Sequence, residues 1–144
     1  NYFYTELDKK IQVSSQKSTN AIEAFFDVSV VISSEISKLG TMLLKDISLF
    51  QSCPEIFRFT DRKGFYSKLL RENLFRGIEE GVYREDIDIE YSALFYASAI
   101  ELFYRWDGGF PYMENTAQYH RALVVHNLHS FVNEKGFELL KTYL

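Results

Sequence analysis

DIEYSALFYASAIELFYRW, residues 88–106, is the stretch whose reading decides the fold. Over 89–106, 13 of 18 residues are apolar or aromatic and only Glu90, Glu101 and Arg105 are charged, more than one buried face of a helix requires. Ala93, Tyr96, Ala97, Ile100, Phe103 and Tyr104 recur at helical spacing on one side, while Tyr91, Leu94, Phe95, Ser98 and Leu102 fall on the other. The longest uncharged run, 91–100, is ten residues, half of the roughly 20 that a membrane span needs, so the segment reads as a buried core helix. A helix apolar nearly all round needs cover on all sides. One face meets the chain's own core, and the other is free for a second subunit.

Around this helix, apolar residues recur by threes and fours between recognisable caps, which predicts an all-α bundle of six or seven helices in a single domain, 1–144. Phe3, Leu7 and Ile11 mark a weakly amphipathic entry helix. Asn20 with Glu23 three residues on is a capping-box signature opening a helix over 20–39, with Gly40 as its stop. A short apolar helix over 41–51 follows, and 52–55, Ser-Cys-Pro-Glu, starts another. A helix over 61–80 carries Tyr66, Leu69, Leu70, Leu74 and Ile78 inward and ends at Gly81; Asp88 caps the helix already quoted. Glycines and a proline over 107–111 break the chain. Asn115 then caps a helix over 115–133, with Val124, Leu128 and Phe131 inward and Ala122, Val125, His126, His129 and Val132 on another face. Gly136 interrupts before a last turn or two.

Composition narrows the function. A formal net charge of -4 and clustering of neither Lys nor Arg argue against this chain alone gripping nucleic acid. The single Cys53 can form no internal disulfide, which favours a reducing compartment, and beside Pro54 it reads as a packed thiol rather than a nucleophile. With neither signal peptide nor membrane anchor visible, a cytoplasmic location and no membrane partner are expected. The chain opens at Asn1 rather than at a methionine, which reads as a piece of something longer.

Catalytic patterns are wanting. Gly108 and Gly109 lack the spacing of a phosphate loop, and no glutamate is followed by histidine at the third position, so neither a nucleotide enzyme nor a metal-carboxylate bundle is expected. His126 and His129 lie three apart without a third ligand one turn away, and read as surface or interface residues rather than a metal site. Glu101 and Arg105, four apart, read as a helix-face ion pair worth a few tenths of a kcal/mol. No cofactor, metal or enzymatic activity is expected.

Two further stretches carry a family resemblance. LLRENLFRGIEEGVYREDID, 69–88, resembles the ligand-binding domain of tetracycline-repressor-type (TetR family) transcriptional regulators, in which a long helix ends in a Gly-aromatic-Arg-x-Asp turn; Gly81, Tyr83, Arg84 and Asp86 stand in that pattern. HNLHSFVNEKGFELLKTYL, 126–144, resembles the closing helix and glycine-interrupted tail. The helix-turn-helix that defines the family is absent. The resemblance implies that residues 1–15 belong to the helix connecting to it, and that operator DNA is met only through that absent module. It also implies a homodimer whose interface sets the spacing of two reading heads, and a small effector that shifts that spacing.

The expected dimer interface is a four-helix arrangement of 88–106 and 115–133 from each subunit, including Leu94, Leu102, Ala122, Val125, His126 and His129. The expected effector pocket lies between 20–39, 61–80 and 88–106. Its walls are Phe26, Val30, Phe57, Tyr66, Leu69, Tyr96, Ile100, Phe103 and Tyr104, with Asn73 and tyrosine hydroxyls as polar contacts. Such a lining takes an apolar molecule, and the lack of an inward Lys or Arg argues against a strongly anionic one. The competing readings are a solid aromatic core with no pocket and a free-standing helical carrier of a hydrophobic ligand.

Overall fold

A computed structural model describes residues 2–45, 63–104 and 116–144. Among the described residues six helices follow one another: α1 Tyr2–Lys17, α2 Ala21–Lys45, α3 Lys63–Glu79, α4 Ile89–Tyr104, α5 Thr116–Phe131 and α6 Glu134–Lys141. Among the described residues there is no strand, only an isolated antiparallel bridge between Tyr83 and Val132. The expected all-α bundle is the fold found. The segments around Cys53, Phe57 and 107–111 lie outside the described residues.

Local signals set most helix ends. Asn20 Oδ1 accepts from Glu23 N at 2.8 Å, while the Glu23 carboxylate reaches back to Thr19 N at 3.3 Å and Thr19 Oγ1 at 3.0 Å. The capping box therefore forms with its return bond one residue earlier than its usual place. Asp88 Oδ1 accepts from Tyr91 N at 3.0 Å and opens α4. Gly81, at φ 75, ends α3: Val82 N reaches Gly77 O at 3.0 Å and Gly81 N reaches Ile78 O at 3.0 Å, the paired bonds of a Schellman ending.

Two expected glycine breaks are not breaks. α2 continues through Gly40 to Lys45, because the apolar residues 42–44 prolong its pattern and a mid-helix glycine costs only about 1 kcal/mol. Gly136 lies inside α6, and the break falls earlier, at Val132 and Asn133; Asn133 Oδ1 accepts from Gly136 N at 2.8 Å and caps the helix. The glycine serves a close crossing instead. A Cβ at 136 would run into the carbonyl oxygen of Val82.

α3 packs along α4, while α1 and α5 lie against α2. The core draws Leu7 and Ile11 from α1, Ile22 and Ile32 from α2, Leu70 and Leu74 from α3, Ile100 from α4 and Leu128 from α5, each at most 1% exposed. The link between α3 and α4 is part of this core, with Val82 and Tyr83 buried. Arg84 N donates to Phe131 O at 2.8 Å and Asn133 N to Val82 O at 3.1 Å, tying the link to the junction of α5 and α6.

α4 divides as its sequence predicts. Ala93, Tyr96, Ala97 and Ile100 are at most 2% exposed, whereas Tyr91, Leu94 and Phe95 are 60%, 45% and 65% exposed.

Candidate functional site

A cleft of about 190 Å³ opens between α1, α2, α3 and α4. Ile11, Ala24, Phe25, Val28, Leu69, Leu70 and Tyr96 form its apolar wall, and Gln12, Ser15, Glu72, Asn73 and Arg76 its polar side. Helical spacing explains the gathering: Leu69, Asn73 and Arg76 lie along one stripe of α3, continued by Glu80 just past its end and turned toward the corner where α1 meets α2. A volume of 190 Å³ is below the roughly 300 Å³ at which pockets for drug-sized ligands begin.

Of the expected pocket residues, the cleft brings together Leu69, Asn73 and Tyr96. Phe26 and Val30 line a different, more open groove of about 340 Å³ between α2 and α5, with Ser29, Ser33 and Arg121. Tyr66 and Ile100 are buried in the core at 2% and 0% exposure. Phe57 lies outside the described residues, as do the side chains of Phe103 and Tyr104. Asn73 is already engaged: its Nδ2 donates to Ala21 O at 2.9 Å, and its Oδ1 accepts from the Tyr83 hydroxyl at 2.7 Å. Burial, and then the nearby Glu80 carboxylate, pushes that phenol far above its ordinary pKa, so Tyr83 stays a neutral donor.

Beside the cleft, α3 clamps the corner between α1 and α2. Arg76 donates through Nη1 to Ser15 O at 3.1 Å, a carbonyl that also accepts from Ser18 N at 3.3 Å, and through Nη2 to Ser18 O at 2.9 Å, just past the end of α1. Its Nε donates to Glu80 Oε2 at 2.8 Å, and the other oxygen of Glu80 accepts from Ala21 N at 2.7 Å at the start of α2. Each charge thus faces a helix end of opposite partial charge: the guanidinium the C-terminal end of α1, the carboxylate the N-terminal end of α2. Ser18 Oγ adds a bond to Asp27 Oδ2 at 2.8 Å. From the C-terminal end of the described chain, the Tyr143 hydroxyl donates to Glu23 Oε2 at 2.8 Å and accepts from Asn20 Nδ2 at 2.9 Å. The Tyr143 bond first, then those from Thr19, hold the Glu23 carboxyl below its ordinary range. Farther along α1, Lys10 pairs with Glu35 of α2 at 2.9 Å.

Sequence reasoning missed Arg76, because on this helix it takes Tyr66, Leu69 and Asn73 as pocket residues and no charged side chain. Its spacing of three from Asn73 was the available signal. His120 was missed as well. Four and eight residues before Val124 and Leu128, it continues their inward stripe and is 2% exposed between α5 and α2. Its Nδ1 lies 3.3 Å from Ser29 O and 3.4 Å from Ser33 Oγ. Burial lowers its pKa to about 4, the Ser29 bond opposing only in part, so the ring is neutral at pH 7.

The residues expected at a subunit interface lie on open surface. Leu94, Ala122, His126 and His129 are exposed and Val125 is half-buried; the side chain of Leu102 lies outside the described residues. Tyr91 and Phe95 stack with ring centroids 6.0 Å apart, and α4 and α5 touch one another. Among the described residues no three His, Cys, Asp or Glu side chains are grouped to hold a metal ion, and no helix is long and apolar enough to cross a membrane.

No family model and no curated protein sequence matches the chain. Among solved structures it is similar to the ketosteroid transcriptional regulator KstR2 of Mycobacterium tuberculosis, with a TM-score of 0.56 at 19% sequence identity, over 92% of this chain and 68% of that one. The chain has a tetracycline-repressor-like fold, and at this identity the likeness is one of fold alone.

Proposed function

We propose that this chain is the effector-sensing and dimerisation domain of a tetracycline-repressor-type transcriptional regulator, acting on DNA through an N-terminal helix-turn-helix outside the sequence in hand. The observation that carries the reading is the open face of α4: in a chain of this fold, Tyr91, Leu94 and Phe95 leave a contiguous apolar surface beside α5. A helix with one buried and one open apolar face is suited to an isologous bundle with a second copy. The regulator description of the solved neighbour supports the same reading.

In this reading the cleft between α1, α2, α3 and α4 takes the effector, and α1 carries its effect to the DNA-binding module. To swing such a regulator from 1:99 to 99:1, an effector must favour one conformer by about 5.5 kcal/mol. The protein works in the cytoplasm, without cofactor, and is not an enzyme.

Sedimentation of the wild-type protein and of Val125→Arg tests the dimer. A dimer that becomes monomeric on this change supports the reading, and a wild-type monomer at micromolar concentration overturns it. A thermal-shift screen of small apolar molecules and short acids tests the sensor, since binding to the native state raises the melting temperature.

A further inference from the structure

Among the groups described at this corner, Arg76 both lines the cleft and holds two carbonyls at the end of α1, Ser15 O within it and Ser18 O just past it. Its side chain and that of Glu80 are each about one-third exposed, at 31% and 28%. Three of the five guanidinium N–H groups are committed, to Ser15 O, Ser18 O and Glu80 Oε2, which leaves two donors. The other charge on the lining, Glu72, stands 3.8 Å from Lys68, which offsets it.

We propose that the cleft takes a small carboxylic acid with a short apolar body, and that the Arg76–Glu80 ion pair transmits its binding to the corner between α1 and α2. The proposal rests on the effector-sensing reading above and adds the ligand's chemical class and the residues that report it. The apolar wall of Phe25, Leu69 and Tyr96 receives the body of the acid, and the guanidinium receives its head. A carboxylate accepts two parallel bonds from arginine and brings a full opposite charge to them, where each backbone carbonyl accepts one bond and brings only a dipole. It therefore draws Arg76 from Ser15 O and Ser18 O and neutralises the positive charge that the end of α1 faces. With Arg76 withdrawn, Glu80 loses the partner that steadies it against Ala21 N. The volume limits the occupant: 190 Å³ admits a short acid and not a drug-sized molecule.

Hydrogen exchange read by mass spectrometry on the whole protein tests this with hexanoate as the probe. In the wild type, hexanoate raises the melting temperature and speeds exchange over residues 15–24 by about tenfold, the scale of losing one bond to a charged group. The amides of Val82, Arg84 and Asn133, in the other crossing of the fold, keep their rates. Hexanol, which has the body without the acid, does neither. Arg76→Lys keeps the charge but not the fork, so its corner exchanges fast without hexanoate and does not respond to it. Glu80→Gln, the second variant should the first not fold, leaves the guanidinium less occupied, so hexanoate binds more tightly than to the wild type. A hexanoate-induced rise in melting temperature with no change over residues 15–24 overturns the transmission while leaving the sensor reading intact. Absence of any hexanoate effect, or equal effects from hexanol, overturns the acid. An unchanged response in Arg76→Lys, or unchanged affinity in Glu80→Gln, overturns the role of the pair.

Discussion

The ring of Tyr83 lies directly on Gly77, two residues before the end of α3, so closely that any Cβ at 77 would overlap the Tyr83 ring carbons. The backbone joins them too, Tyr83 N donating to Gly77 O at 3.1 Å. From there the Tyr83 hydroxyl reaches Asn73, whose amide holds Ala21 at the start of α2. The turn after α3 is thereby linked to the α1–α2 corner through one side-chain relay.

Gly77→Ala should therefore destabilise the protein, although alanine favours a helix. The gain in propensity is at most about 1 kcal/mol, whereas overpacking a filled interior costs about 1–3 kcal/mol and here displaces a buried ring. Urea denaturation should show a lower midpoint with an unchanged slope. Gly64→Ala, in the first part of α3 where a Cβ meets nothing within 4 Å, should be neutral or stabilising.

Tyr83→Phe tests the relay without changing its shape. The loss removes the 2.7 Å bond and leaves Asn73 Oδ1 half-buried without that donor, at a cost of about 1–3 kcal/mol. Thermal unfolding of Tyr83→Phe and of the double variant with Asn73→Ala should show that the two effects do not add, because both remove one contact.

How much of this was legible in the sequence follows from what kind of signal each feature leaves. The caps at Asn20, Asp88 and Gly81 act within four residues, and all three were visible. The two faces of α4 were visible because apolar excess has a period. Gly40 and Gly136 were misread as breaks because glycine permits a stop without requiring one; Gly136 is there for the approach of Val82, which is distant in sequence. The expected pocket wall mixed residues of three environments, since periodicity tells which way Phe26, Tyr66 and Leu69 face but not which neighbours separate them. The four-residue spacing of Arg76 and Glu80 is legible as an ion pair, but their place at the corner is not, because their other partners are backbone atoms at the end of α1 and the start of α2, and backbone leaves no mark in a sequence pattern.

His120 makes stability depend on pH. Its pKa is lowered from 6.5 to about 4 on folding, so the unfolded chain binds the proton more readily. The contribution is fully present above the unfolded pKa of 6.5 and is lost as pH falls from there toward 4, by an amount on the order of 3 kcal/mol. His120→Gln removes the titrating ring. Urea midpoints for the wild type and this variant at pH 7, 5 and 4 should diverge, the wild type losing more between 7 and 5, where most carboxylates remain ionised. Parallel curves would place the acid sensitivity in Glu23 and Glu35, whose lowered pKa values act in the same direction.

Two phenylalanines with similar exposure separate a subunit interface from ordinary surface. Phe95, 65% exposed, stacks on Tyr91 on the open face of α4; Phe75, 58% exposed, lies on α3. Isolated exposed apolar side chains are common on monomers, so exposure alone distinguishes neither. If α4 pairs with a second copy, each dimer buries two Phe95 rings, and losing them costs about 1.5–3 kcal/mol apiece. The dissociation constant of Phe95→Glu should rise by about 10²-fold or more, since each 1.4 kcal/mol is tenfold and the introduced charges repel across the two-fold axis. Phe75→Glu should sediment as the wild type does. Because both positions are more than half exposed, neither change should move the monomer's helical signal in circular dichroism, so a shift in sedimentation reports association rather than unfolding. Dissociation by Phe75→Glu and not by Phe95→Glu would move the interface from α4 to α3.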